Sequence, residues 1–417
     1  MGVIKSTKFL TKKQMERIQN QKHNKETLYY SLSRMLERAS FYGFRILIVL
    51  YMIGEVLQMD RTEAMNVYGW FIGSLMFSQI VGGLLGDLLI GNRKSIIIGG
   101  IVQALGAFAL CIPFTMGLYV GLFLVVLGSG FYTPNILSSF GKSYLNKAKL
   151  LDSGFTILYL SVNLGSFLGI LIIGYLGENI GYRIGFLTSG ILMLLSIVPV
   201  LILKESAPND FIKNKFSINK KIIAIGIAFI AVGLYWGIYQ IGHIQISYLQ
   251  MEFVQIPSLN FSQNLWPQVN NVFIISTGAV AVLLWTFFYS TQFIKLTFGF
   301  IFGAISFGIL LFIPEIPQEQ HITLFFIALL FLGISEIHIA PIIHSVLTKY
   351  SNPKYLTILI SLSLLPSMLI AWAFTLINDK FYEEPMLGLW FAIIAMCIVG
   401  IGVFGFVLWN KKCSKDE

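Results

Sequence analysis

Long stretches of this chain carry no Lys, Arg, Asp or Glu at all: residues 64–86, 95–141, 153–177, 184–203, 222–251, 253–294, 296–314, 355–378 and 385–410. A helix needs roughly 20 apolar residues to cross a bilayer, so each run is long enough for one crossing. Residues 95–141 hold two, dividing near Pro113, and the first dozen residues of 253–294 are polar enough for a loop. Residues 320–348 add a run broken by one acid, Glu336, and 34–57 add a run with charges at its head. The sum is twelve spans. Backbone groups in lipid must find partners within the chain, so the expected class is all-α and integral to the membrane. Only 12% of residues are charged, against about a quarter in soluble domains.

The formal net charge of +9 does not indicate nucleic acid, because of where the charges sit. Lys and Arg crowd residues 1–34, 93–94, 142–149, 204–221, 349–354 and 411–415, which are alternate loops and both ends of the chain. The intervening loops hold mainly Arg61, Arg183 and Lys380. The positive-inside rule therefore puts both termini in the cytoplasm of a cell bounded by this membrane, which an even number of spans also requires. The basic leader has no apolar core ahead of Arg34, so it reads as a topology anchor rather than a cleavable signal. Cys111, Cys397 and Cys413 have no paired spacing, and neither a disulfide nor a metal site is expected. No nucleotide loop or nucleophile–base pair stands out, so the reading is of a non-enzyme without cofactors, expected to be a monomer in the lipid bilayer.

The polar stretch "KESAPNDFIKNKFSINKK" divides the chain. The expected organisation is a basic segment 1–33, a six-helix bundle 34–203, a linker 204–221, a second six-helix bundle 222–410 and a tail 411–417. In transporters built from two such halves, ligand sites lie between them near the midplane. "GGLLGDLLIGNRK" (Gly82–Lys94) follows the second span. Its glycines allow close helix approach, and Asp87, Arg93 and Lys94 can pair across helix ends. The stretch resembles the loop motif between helices two and three of the major facilitator superfamily.

Arg34, Glu37, Arg38, Phe41, Tyr42 and Arg45 follow helical spacing and share one face. Intramembrane charge costs at least a few kcal/mol per group, so that face should line a polar cavity or meet a partner. Arg34 can instead anchor at the interface by snorkelling; Arg45 lies too deep for that. Glu336 is the only acid in its span. It needs a cation, a proton or an ammonium-bearing ligand, the alternative being an ion pair across the halves.

"ERASFYGFR" (Glu37–Arg45) resembles the first-helix signature of the proton-dependent oligopeptide transporter family. Further resemblances follow in order: "GSGFYTPN" to the fourth helix, "DSGFTILYLSVNLGSFLG" to the fifth, "YWGIYQIG" to the seventh, "WPQVNN" to the eighth and "GISEIHIAP" to the tenth. The resemblance implies transport of short peptides or peptide-like zwitterions, with the ligand carboxylate on Arg45 and its amine near Glu336 and Asn163. Tyr42, Asn271 and Gln240 would complete the wall. It also implies proton coupling and gating through Glu37, Arg38 and Glu336. Three positions depart from the pattern: Arg34 and Gln240 replace acids, and Thr133 replaces a lysine. Two proton-accepting carboxylates are thereby lost, and Arg34 and Arg38 should favour the charged form of Glu37. Glu336 is then the main titratable candidate, with His243 second. A second reading keeps the fold but moves a non-peptide carboxylate, such as a siderophore or metabolite.

Overall fold

The computed structural model describes residues 22–203, 217–256, 269–375 and 378–413, and every regular element among them is helical. The first group comprises α1 (Lys25–Ile53), α2 (Arg61–Leu85), α3 (Asn92–Ala109), α4 (Thr115–Ser143), α5 (Leu151–Asn179) and α6 (Tyr182–Ile202). The second comprises α7 (Ile218–Val254), α8 (Val269–Phe287), α9 (Gln292–Leu310), α10 (Ile322–Tyr350), α11 (Leu356–Leu362), α12 (Leu365–Thr375), α13 (Asn378–Glu383) and α14 (Pro385–Cys413). Among the described residues, ten helical segments are long and apolar enough to cross a membrane. α1 and α3 fall outside that set because α1 carries its row of charges and α3 is short and starts with Asn92, Arg93 and Lys94. Both still pack as full members, α1 against α5 and α6, and α3 against α4 and α6.

Three details differ from what hydropathy predicts, each for a physical reason. α1 starts at Lys25, ahead of the charged stripe. The charge pattern also predicts a non-cytoplasmic loop over 243–265; it begins only after Val254, because α7 runs on through His243, Gln245 and Gln250. Its 37 residues make a rod of roughly 55 Å against a hydrocarbon layer of roughly 30 Å. Polar residues at its far end therefore leave the apolar layer without leaving the helix; the rest of that loop lies outside the described residues. The span expected over 355–378 is broken at Ser363–Leu364 into α11 and α12. Pro366 follows the break, and a residue without an N–H cannot continue the ladder.

The two groups have separate apolar cores. One large core is built from residues between Ala224 and Val407, and another from residues between Phe41 and Phe186. Within the first group α5 lies close on α1. A Cβ at Gly169 would fall on the backbone of Ala39, and one at Gly165 on the carbonyl of Met35. This is the small-residue packing that membrane helices use where water supplies no driving force. Large apolar side chains such as Phe123, Tyr175, Ile230, Leu283 and Ile401 point outward, as a lipid-facing surface requires.

At the π-turn Gly86–Ile90, Gly91 adopts φ 88° and lets the chain reverse tightly into α3. At the opposite end of α2, Asp60 caps the helix by accepting from the amides of Thr62 (2.8 Å) and Glu63 (3.4 Å). Those amides hold its carboxyl below the usual range.

Candidate functional site

α1 presents its charged stripe to the interior. Glu37 is fully buried and gripped by two guanidinium groups: Arg34 Nη1 donates to Oε2 at 2.8 Å, Arg38 Nε to Oε2 at 2.6 Å and Arg38 Nη2 to Oε1 at 2.5 Å. Thr133 on α4 accepts from both arginines, at 3.1 and 3.4 Å. Further along the same face Arg45 Nε donates to the Tyr68 hydroxyl on α2 at 2.6 Å, and its guanidinium lies 5.8 Å from the Tyr42 ring. Among the described residues Arg45 has no acidic partner.

Glu336 sits on α10, 5% exposed, and collects neutral donors from three other helices. Tyr159 of α5 donates to Oε2 at 3.0 Å, while Tyr239 of α7 and Asn270 of α8 donate to Oε1 at 2.8 and 2.9 Å. No cation lies within salt-bridge distance of Glu336 among the described residues, so the ion-pair alternative finds no support there. Hydrogen bonds keep a buried carboxyl solvated without neutralising it. An ammonium group arriving here would meet a pre-built acceptor.

The other candidate residues fall in different places. Asn163 is buried beside this centre, but its amide donates to the carbonyl of Tyr159, one turn back on its own helix, at 2.9 Å. Among the described residues it makes no direct hydrogen bond to Glu336. Asn270, rather than Asn271, reaches Glu336; the two are one residue apart, and a helix rotates about 100° per residue. Gln240 is exposed and lines a cleft of about 650 Å³ with Tyr239, His243, Trp372 and Tyr382. His243 stacks on Tyr239, with ring centroids 5.4 Å apart, so it touches the Glu336 shell at one remove. Hydropathy and motif spacing do not single out Tyr159, Tyr239, Asn270 or Tyr68. Tyr159 stands four residues before Asn163, the spacing that puts two side chains on one face, and that is the one signal available for it.

Side-chain bonds between the two groups concentrate at the end where the basic turns lie. Asp87 accepts from the backbone amides of Thr357 (2.8 Å) and Ile358 (3.1 Å) at the start of α11, and from the Thr357 hydroxyl. A carboxylate there meets unpaired amides and the positive end of the helix dipole. Lys142 lies 3.5 Å from the same carboxylate, and Asn92 links it to Asn135 and Thr357. Arg93 does not join this set; it donates to the carbonyl of Leu201 at 2.8 Å and ties α3 to α6. On the other flank Asp152 of α5 accepts from Lys295 of α9 at 2.5 Å, from Gln292 at 3.1 Å and from Ser345 of α10.

His23, just ahead of α1, bonds the Tyr144 hydroxyl at 2.7 Å and reaches Thr286 of α8 at 3.4 Å. Burial, and then the nearby Lys147, hold its imidazole below the ordinary 6.5. A base whose proton is disfavoured in this arrangement supports the arrangement above its ordinary pKa and opposes it below. Spin labels at Asn146 and Asn352, both exposed at this end, should therefore report a broader, longer distance as pH falls from about 7.5 to about 5. The change should be smaller in His23→Gln; an identical pH response in the two proteins would mean that another group drives it.

Known proteins share both the sequence and the fold in part. A di-/tripeptide transporter of Lactococcus lactis subsp. lactis (strain IL1403) is 34% identical over 168 residues, covering 39% of this chain and 34% of the relative. The peptide transporter YePEPT of Yersinia enterocolitica subsp. palearctica serotype O:3 (strain YE-P4) is 34% identical over 174 residues, covering 40% and 34%. The chain thus spans about a third of the length of these curated relatives. A solved structure of a POT family transporter in complex with 5-aminolevulinic acid superposes with a TM-score of 0.62 at 19% identity, over 94% of this chain and 97% of that one. At that identity the likeness speaks for the fold. The family model of the Major Facilitator Superfamily matches residues 30–413. With two helical groups, a loop carboxylate capping a helix of the opposite group and a match over nearly the whole chain, this protein belongs to the Major Facilitator Superfamily.

Proposed function

We propose that this chain is a secondary transporter that moves short peptides or peptide-like zwitterions across the cytoplasmic membrane by alternating access, with both termini in the cytoplasm. The observation that carries this reading is the pairing of Glu336, which among the described residues holds neutral donors and no cation, with Arg45, which has a tyrosine and no acid among them. A zwitterion supplies both missing charges at once. A carboxylate can take the Arg45 fork in bidentate fashion, and an ammonium group suits the Glu336 cage. In this reading Tyr42 and Asn271 line the ligand path, and Glu37, Arg38 and His243 take part in gating or coupling. In this reading the halves are residues 34–203 and 222–410, flanked by 1–33 and 411–417 and joined by 204–221, with their helices running beyond those bounds to Lys25, Ile218 and Cys413.

A second reading, transport of a non-peptide carboxylate, draws on Gln240 and Thr133, which leave the wall with fewer charges. The relatives named as peptide transporters favour the first reading, while the fold neighbour holding 5-aminolevulinic acid is compatible with either. Purified protein in liposomes, offered a mixture of radiolabelled di- and tripeptides, should show saturable counterflow. Absence of counterflow with every peptide, together with exchange of a simple amino-carboxylate, would select the second reading.

A further inference from the structure

Charge at the membrane interior does not balance. The buried pairs at the basic end are neutral: Asp87 with Lys142, and Asp152 with Lys295. A zwitterion would complete Arg45 and Glu336. What remains among the described residues is the cluster on α1, in which two guanidinium groups share one carboxylate. One positive charge is left over, on residues 6% and 9% exposed.

The hydrogen bonds show where that charge is unmet. Glu37 Oε2 takes one bond from each arginine and Oε1 takes a third, so its acceptor capacity is largely used. Thr133 accepts weakly from both. The Nε–H of Arg34 is buried and has no acceptor among the described residues. A buried donor on a charged group left unpaired is costly, and an unneutralised guanidinium in the membrane costs more. The site therefore lacks one anion.

We propose that Arg34, Arg38 and Thr133 form an anion subsite that takes an acidic side chain of the transported ligand, making the transporter selective for net-negative peptides. The proposal rests on the peptide reading above and adds the charge class of the substrate. The spacing suits it. Arg38 lies seven residues from Arg45 on the same face of α1, a rise of roughly 10 Å. A tripeptide anchored at Arg45 and Glu336 spends its backbone length, roughly 10 Å, between those two residues, so its acidic side chain and the long Arg38 side chain, two turns below Arg45, close the remaining gap between them. The Thr133 hydroxyl, which now accepts from both arginines, can turn to donate to that carboxylate.

The test compares three tripeptides, Ala-Glu-Ala, Ala-Gln-Ala and Ala-Lys-Ala, by calorimetry on the purified full chain in gluconate buffer. Glu and Gln differ in charge and little in shape. Ala-Glu-Ala should bind about tenfold or more tighter than Ala-Gln-Ala, the effect of a hydrogen bond to a charged group, with Ala-Lys-Ala weakest. Arg34→Gln should bring the Glu/Gln ratio close to one, and Arg34→Lys should retain part of it. Equal affinities for the Glu and Gln peptides in the wild type, or a ratio that survives Arg34→Gln, would overturn the proposal. If chloride stabilises the wild type but not Arg34→Gln, and the Glu peptide gains nothing, a free inorganic anion fills the subsite and the substrate assignment is wrong. Binding of none of the three would remove the peptide reading itself, and this assignment with it.

Discussion

Lys295→Met should loosen the basic end of the bundle by about two to four orders of magnitude in its open-to-closed ratio. Asp152 and Lys295 are 2% and 3% exposed and meet at 2.5 Å across the two groups of helices. Removing one partner of such a pair leaves a buried charge uncompensated, which costs about 3–5 kcal/mol. Lys295 also lies 4.4 Å from the Trp285 ring, a contact that the substitution loses. The readout is alkylation of a cysteine replacing Thr348, which is 1% exposed at this interface, with the native cysteines replaced. Labelling should accelerate about a hundredfold or more in Lys295→Met. It should fall back toward the wild-type rate when Asp152→Asn is added, because the double variant buries no lone charge. Equal rates in the single and double variants would mean that packing, not the ion pair, holds this end shut.

Glu336→Gln should weaken ligand binding and remove the pH response of transport, while Glu37→Gln should leave the pH response in place. The two carboxylates differ in what a proton would have to displace. Glu37 holds three bonds from guanidinium groups at 2.5–2.8 Å. A carrier must gain and lose its proton in each cycle, and here each gain would break charge-assisted bonds. Glu336 holds three neutral donors, none from a cation, so a proton and an ammonium group can compete for it. Ligand affinity should fall about thirtyfold or more in Glu336→Gln, with the protein still monodisperse, because Gln keeps the shape and can still accept from Tyr239 and Asn270. Measured in liposomes with an imposed pH gradient, strong accumulation that survives Glu336→Gln but not Glu37→Gln would refute this assignment.

The charge-free runs made most helices legible, because lipid leaves a chain so few choices of backbone structure. The break between α11 and α12 was not legible in them, because Pro366 acts inside an unbroken apolar run. Nor was the end of α7, since hydropathy marks where lipid stops and not where a helix stops. At the centre, Arg45 and Glu336 were legible as charges that lipid cannot solvate. Their partners were not, because Tyr68, Tyr159 and Tyr239 look like ordinary membrane aromatics until helix rotation is known. Choosing Asn271 over Asn270 is the same problem at its smallest scale. The stretch "YSTQFIK" looks, as sequence, like a degraded copy of the loop that carries Asp87. In the structure its Gln292 and Lys295 hold Asp152, so the two groups are bonded here as well, with the acid on the opposite partner.

That exchange of the acid makes the two fastenings at the basic end unlike one another. On one flank a carboxylate holds the amide tips of α11; on the other a lysine is sunk into a carboxylate. The first draws on backbone amides of α11, which every side-chain substitution there except proline leaves in place, and is lost only with Asp87. The second is lost with either of two side chains, Asp152 or Lys295. If the second fails while the first holds, the halves do not part evenly: they swing, with Asp87 as the pivot and α5 and α9 as the leaves that separate. A molecule fastened this way has a built-in direction of opening, set by which of its two clasps is made of backbone.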